Sequence, residues 1–263
     1  MTDSEARRSS ALAPVARVDV LGVNVSIVTV DDLVSFVDSA VAGSFPVVIA
    51  AHNLHSVYLA RTDSEFARFY QGSDVVVVDG WPVLAGLNRA RAASGLAPLP
   101  SSHRFGSTDW IDRATALAAV RRVAVIGASS ESSSAFVARL LSSPDAPEVL
   151  AIPGHPWSAD RAAEAVERVS SFEPDLVLVG MGMPLQEQVV TGLIGHLDRG
   201  VIATVGGAID QLSGTQSLAP RWTGRLGVEW LWRLASDPRR LARRYLVEPV
   251  QLALVIAKER RAR

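Results

Sequence analysis

Asp79 follows four consecutive valines, Val75 to Val78, and precedes Gly80. A carboxylate at the rim of a buried strand loses part of its hydration, which raises its pKa and makes it a better proton acceptor near neutrality. Position alone leaves a second role open, that of capping a helix that begins near Pro82. A second chemical element is Gly180-x-Gly182-x-Pro184-x-Gln186-Glu187, a strand-to-helix junction whose glycines and helix N-terminus suit a diphosphate. Gln186, in the first helical turn, could donate to or accept from the same ligand through its amide. The junction also fits plain helix-sheet packing, with Gln186 and Glu187 exposed or capping. His52 and His55 stand three apart, but no third ligand accompanies them, so no metal site is expected. No Asp-x-Asp pair occurs and no Walker lysine precedes Lys258. Charge on a departing diphosphate would therefore fall to arginines and backbone N–H groups.

These residues need a scaffold that holds them at one edge. Six Val/Ile-rich runs are separated mostly by helix-length segments: Val47 to Ala50, Val75 to Val78, Val123 to Ile126, Val149 to Ile152, Leu176 to Val179 and Val201 to Val205. Near-continuous apolar strands of this kind predict an α/β fold, a Rossmann-like and mainly parallel sheet buried by helices on both faces. Ligands in such sheets bind outside the carboxyl ends of the strands. Those ends read Ala51-His52-Asn53, Asp79-Gly80, Gly127-Ala128-Ser129-Ser130, Gly180 to Glu187 and Gly206-Gly207-Ala208-Ile209-Asp210. Gly127, Gly180, Gly182, Gly206, Gly207 and Asp210 are accordingly expected at the substrate. Ahead of the sheet, Val18 to Val23 and Val25 to Val28 read as a short strand pair around Asn24, followed by a helix capped by Thr29 or Asp31.

With 263 residues and 48% hydrophobic content, the chain is long enough for a large core, and its composition excludes disorder and collagen-like repeats. It has no cysteine, which excludes a disulfide-stapled module and fits a reducing cytosol. No run of about 20 apolar residues could span a bilayer, and the polar start lacks a signal-peptide block. An intracellular protein is expected. The net charge of -1 conceals an asymmetry: through Thr215 there are 15 Lys+Arg against 23 Asp+Glu, and from Gln216 onward 11 against 4. Three of the six tryptophans, Trp222, Trp230 and Trp232, lie in that basic tail. The expected organisation is a loose leader over 1–17, an α/β body over 18–215 and a basic helical appendage over 216–263. Helices are predicted over Gly224 to Ala235 and Arg239 to Ala257, with Arg240, Arg243 and Arg244 on one face. The final apolar stretch, Val250 to Ala257, suits an interfacial helix. A solvated helix face would account for the same arginines without any ligand.

Taken together, these pieces resemble the WecG/TagA/CpsF family of bacterial glycosyltransferases. The resemblance covers about Val18 to Leu246 and rests on Asn53, Asp79-Gly80, Arg104 to Asp109, Gly180 to Glu187, Val205-Gly206-Gly207 to Asp210, Ala219-Pro220-Arg221-Trp222, and Glu229-Trp230-Leu231-Trp232-Arg233-Leu234 with Pro238 and Arg240. It implies inverting, metal-independent transfer of N-acetylmannosamine or a related sugar from UDP to a polyprenyl-diphosphate-linked acceptor, without a cofactor. By residue it implies Asp79 as general base, Asn53 beside it, Gln186 and Arg104 at the substrate, and Arg233, Arg240 and Arg243 folding over the site from a tail docked on the anionic inner face of the cell membrane. Self-association is compatible with the family. The chain carries Ala51, Leu185 and Leu218 where the family commonly has threonine, a basic residue and arginine.

Two other classes compete with this reading. An NAD(P)-binding oxidoreductase needs a dinucleotide fingerprint with an acidic residue about 20 positions on, and neither follows Ile126 or Val179. A non-enzymatic module could sense a nucleotide sugar and dock on a membrane through its tail. Nucleic acid is disfavoured as a partner because the tail lacks interleaved aromatic and basic residues.

Overall fold

A computed structural model describes residues 17–220, 223 and 228–262. The expected leader up to residue 16, Arg221 and Trp222 of the tail motif and the predicted helical start at Gly224 lie outside the described residues, while Arg17, expected to end the leader, opens the first strand.

Strands β1 (Arg17–Val20) and β2 (Val23–Ser26) form an antiparallel hairpin. Its turn is Leu21-Gly22, both with positive φ (56° and 93°), the left-handed pair that matches the twist of two tightly connected strands. The expected turn at Asn24 is thereby corrected: Asn24 lies inside β2, opposite Asp19. Helix α1 (Val30–Val41) follows, capped by Thr29 in a reciprocal box with Asp32, so of the two expected caps Thr29 serves.

The main sheet has six strands, β3 (Pro46–His52), β4 (Val75–Val78), β5 (Arg122–Gly127), β6 (Glu148–Ile152), β7 (Leu176–Gly180) and β8 (Gly200–Thr204). They lie in the order β4-β3-β8-β7-β5-β6, and every neighbouring pair is parallel. The six predicted runs all became strands, with small shifts at their ends. The sequence of β3 continues to His52, which is fully buried.

Alternation along each strand divides the core between two faces. Ile49, Val77, Val125, Leu178 and Ala203 face α1, α5 (Ile111–Thr115), α6 (Ser130–Leu141) and α9 (Ala208–Leu212). Their neighbours on the other face, among them Ala50, Val78, Ile126, Val179 and Ile202, meet α2 (Leu54–Thr62), α3 (Ser64–Gly72), α4 (Trp81–Ala93), α7 (Ala159–Phe172) and α8 (Leu185–Ile194). Three turns at the carboxyl edge pack against one another, and at two of them only glycine fits. A Cβ on Gly127, whose φ is +114°, would lie 2.2 Å from the Gly180 carbonyl oxygen, and one on Gly180 would lie 2.8 Å from that of Gly206.

The tail continues as α10 (Glu229–Ser236), α11 (Pro238–Ala242), a π-helical turn (Arg243–Val247) and α12 (Glu248–Ala262). The single helix expected over Arg239 to Ala257 is thus interrupted. Helix α12 returns to the body against α2, burying Leu252 and packing Ile256 in the core cluster that includes the hairpin. Two polar contacts bracket this packing, the His55–Glu248 hydrogen bond and the Arg61–Glu259 ion pair.

Candidate functional site

A cleft of about 320 Å³ opens at the carboxyl edge of the sheet, between the ends of β3, β4, β7 and β8 and the tail. Asp79, at the end of β4, and Asn53, at the end of β3, stand side by side in it. Asn53 caps α2: its Oδ1 accepts from the N–H groups of His55 (3.0 Å) and Ser56 (3.2 Å). With the oxygen so engaged, its NH2 must face the other way, and it donates to Asp79 Oδ2 at 3.3 Å. Asp79 therefore has an oriented neighbour. The N-cap position of the following helix, α4, is held by Gly80, whose φ is +98°.

Below the pair lies a desolvated polar layer. His52 bonds Ser56 Oγ through Nδ1 at 2.7 Å, and burial pushes its pKa down to about 4. Tyr70 donates its hydroxyl to the Ala51 carbonyl at 2.7 Å, and burial, with the nearby Glu187 charge, holds its pKa well above the usual phenol value. Neither histidine is placed as a metal ligand, since His55 pairs with Glu248. Among the described residues no group of three His, Asp or Glu side chains could hold a metal ion.

On the other wall, Gly180, Gly182, Gly206, Gly207 and Asp210 all line the cleft, as expected from their strand ends. Gln186 lines it too but is 1% exposed, and its amide is committed within the protein. Its oxygen accepts from the Gly206 N–H at 3.0 Å, and its nitrogen donates to Glu187 Oε1 at 2.9 Å. Gln186 thus ties the start of α8 to the turn after β8. Glu187 is 2% exposed, and burial pushes its pKa up to about 7. The carbonyl of Asp210 accepts from the Gln216 N–H at 2.9 Å, organising the loop that leads to the tail.

Three expected site residues do not line the cleft. Gly127 is instead the close-packed backbone position described above; its successors Ala128 and Ser129 reach the space, Ser129 as the cap of α6. Arg104 lies with its guanidinium carbon 4.7 Å above the Trp81 ring, while Gly106, Ser107 and Thr108 just after it form the wall. Arg243 is exposed and absent from the lining.

From the tail, Arg233 and Arg244 enter the cleft beside Leu241 and Tyr245. The side chain of Arg240 lies outside the described residues. In a regular helix Arg243 and Arg244 point about 100° apart; here the turn that contains both is π-helical, a geometry that recurs at functional sites. The positive charge of Arg244 reaches the body, lowering the pKa values of His55, Glu187 and Tyr70, although burial is the larger cause at each. Sequence reasoning grouped Arg244 with the basic face of the tail without assigning it to the substrate, and it missed His155, Gln211, Gln216 and Tyr245 of the lining altogether. Only their places next to predicted strand ends or in the basic tail could have flagged them.

The arrangement is a carboxylate with an oriented amide on one wall, and glycine turns, helix N-termini and guanidinium groups on the other. It suits proton removal from a hydroxyl beside a bound diphosphate. Comparison with known proteins points the same way. The sequence profile of the glycosyl transferase WecG/TagA/CpsF family matches residues 18–263. Among curated relatives, the N-acetylglucosaminyldiphosphoundecaprenol N-acetyl-beta-D-mannosaminyltransferase of Staphylococcus aureus strain MRSA252 is 25% identical over 232 residues, covering 87% of this chain and 88% of the relative. The proteins of the same name from strains MW2 and NCTC 8325 match to the same extent.

Proposed function

The chain belongs to the WecG/TagA/CpsF family of glycosyl transferases, and from that premise we propose that it moves N-acetylmannosamine or a related sugar from UDP to a sugar carried on a polyprenyl diphosphate. Asp79 takes the proton from the acceptor hydroxyl as its oxygen attacks the anomeric carbon of the donor. The bond from that carbon to the UDP oxygen breaks on the opposite face, UDP leaves with the bonding electrons, and the configuration inverts. Asn53 fixes the direction in which the Asp79 carboxylate accepts. A nucleoside diphosphate leaving group needs little protonation, so one carboxylate suffices. Arg233, Arg244 and the N–H groups of the glycine turns balance the growing negative charge, a preorganised electrostatic role that needs no metal.

The observation that carries this reading is the Asn53–Asp79 hydrogen bond facing a cleft closed by guanidinium groups from a separate segment. The proposed acceptor is a lipid, and the outer surface of the tail fits a bilayer. No helix among the described residues is long and apolar enough to cross a membrane. Yet Trp230, Leu231, Trp232, Leu246, Val247, Val250 and Leu254 are all exposed on the tail, accompanied by exposed Arg239, Arg243 and Lys258. Apolar residues rimmed by cations suit an anionic membrane interface, and the protein is proposed to work there from the cytoplasmic side.

The test is a screen of UDP-sugars with a short-chain N-acetylglucosaminyl-diphosphate-lipid acceptor, read by product mass and anomeric configuration. Acceptor-dependent UDP release that persists in EDTA is expected. A product with retained configuration, or turnover abolished by EDTA and restored by a divalent ion, overturns the mechanism. Deleting 216–263 separates enzyme from mere anchor: the proposal expects loss of turnover on a soluble acceptor as well as loss of vesicle binding.

A further inference from the structure

Behind the Gly206 turn lies a charged group that the transfer just described does not use. Glu187 Oε1 accepts from Gln186 Nε2 at 2.9 Å, while Oε2 is buried with no hydrogen-bond partner among the described residues. The next link is the Gln186 oxygen, which accepts from the Gly206 N–H at 3.0 Å. Gly206 has φ +55°, and the turn it begins lines the cleft.

A side-chain amide has a donor end and an acceptor end of nearly equal shape, so its orientation follows its neighbours. A carboxylate accepts on both oxygens and therefore forces the NH2 of Gln186 toward itself. The Gln186 oxygen is then left for Gly206. A protonated carboxyl, or a glutamine in its place, can donate instead, which permits the reverse orientation and sets an NH2 against the Gly206 N–H.

We propose that Glu187 is a positioning residue for the transfer: its carboxylate locks the Gln186 amide, and the amide holds the Gly206 turn in the shape that receives the donor diphosphate. The final clause rests on the nucleotide-sugar reading above; the lock itself does not. Other charged groups do not relieve Glu187 directly. Tyr70 of α3 is neutral, Asp63, Glu65 and Arg68 line an outer groove with it, and Arg244 acts from the tail. Burial brings the carboxyl to a pKa of about 7, so the lock is half engaged near neutrality and tightens as pH rises. The guanidinium of Arg244 favours the ionised form, and the tail that neutralises the diphosphate also strengthens its cradle.

The experiment compares wild type with Glu187→Gln and Glu187→Leu between pH 6 and 8.5. Its first readout needs no nucleotide: the Gly206 amide resonance in an NMR spectrum should titrate with a midpoint near 7 in wild type and stay flat in both variants. Its second is steady-state kinetics with the UDP-sugar donor. The donor KM of wild type should fall severalfold from pH 6 to 8 with a smaller change in kcat, while Glu187→Gln holds the high KM throughout. A Gly206 titration that survives in Glu187→Gln, or a variant KM that keeps the wild-type pH profile, overturns the proposal. If Glu187→Leu does not fold, Glu187→Gln decides alone. A Gly206 amide that titrates as expected in a protein that does not bind UDP leaves the lock standing and removes the nucleotide-sugar reading instead.

Discussion

Asp79 and Asn53 divide one task between an atom that reacts and an atom that aims. Because the Asn53 oxygen is held by the two N–H groups it caps, its NH2 has one direction left, and that direction is the carboxylate. Asp79→Asn is expected to lower kcat by about 10²–10⁴-fold, the usual span for a general base, with UDP affinity in calorimetry unchanged. Arg244→Gln should cost roughly 10²-fold in kcat/KM, in line with removal of one preorganised charge-stabilising donor, whereas Arg239→Gln, on the solvent side, leaves turnover on a soluble acceptor at the wild-type level. Loss in Arg243→Gln with none in Arg244→Gln would reverse this assignment. Glu187 gives the opposite sign for stability and function. Its folded pKa of about 7 is raised above the ordinary carboxylate value of 4.5, so the native state binds the extra proton between these values and stability falls as pH rises through that window. Glu187→Gln is therefore expected to melt above wild type at pH 8, by up to about 3 kcal/mol, and to match it below pH 4.5. Asp79 and Asn53 were legible in the sequence because a polar residue directly after a buried strand has few other places to be. Gln186 was legible as a position but not as a role, since nothing in the linear order says that its amide would be spent on Gly206.

Strands carry the most readable information in this chain, and turns the least. Parallel strands buried on both faces must be apolar at every position, so β3, β4, β5, β7 and β8 stand out as unbroken runs. The hairpin was found but its turn was misplaced. Asn24 has turn-like chemistry, yet Gly22 supplies the positive φ at lower steric cost and Leu21 tolerates the other left-handed position. Glycines at the carboxyl edge presented a related ambiguity: Gly127 and Gly180 share a sequence signature with ligand-binding turns, but both are demanded by backbone approach whether or not a ligand binds. Gly127→Ala is expected to destabilise the fold by about 2 kcal/mol or more in denaturant unfolding, through its positive φ and its contact with the Gly180 carbonyl. The π-helical turn escaped sequence reading entirely. Helical periodicity assumes a constant angle per residue, which a wider turn breaks, so it grouped Arg240, Arg243 and Arg244 on one face but could not say that Arg244 enters the cleft while Arg243 stays exposed.

At the scale of the molecule, an acidic body is joined to a basic tail that folds back on it. Leu252 and the His55–Glu248 and Arg61–Glu259 pairs hold α12 to α2, while the opposite surface of the tail leaves Val250 and Leu254 exposed at 60% and 66%. Val250→Glu combined with Leu254→Glu should reduce co-sedimentation with anionic vesicles by about tenfold or more, the scale set by withholding two aliphatic side chains from the interface. Turnover on a soluble acceptor should persist, and unchanged sedimentation would remove these residues from the docking surface. The π-helical turn stands between the cleft and those two surfaces. Arg233 and Leu241 before it and Arg244 and Tyr245 within it line the cleft, while beyond it Val250 and Leu254 face outward and Leu252 grips α2. Removing one residue within 243–247 would exchange the wide turn for ordinary winding, which absorbs most of the lost residue and shifts Arg244 and Tyr245 relative to the residues on either side. Such a protein would keep the grip on α2 and the outward stripe in step, since both lie on α12, but would misplace the two cleft side chains, so the surplus residue governs how the tail enters the enzyme.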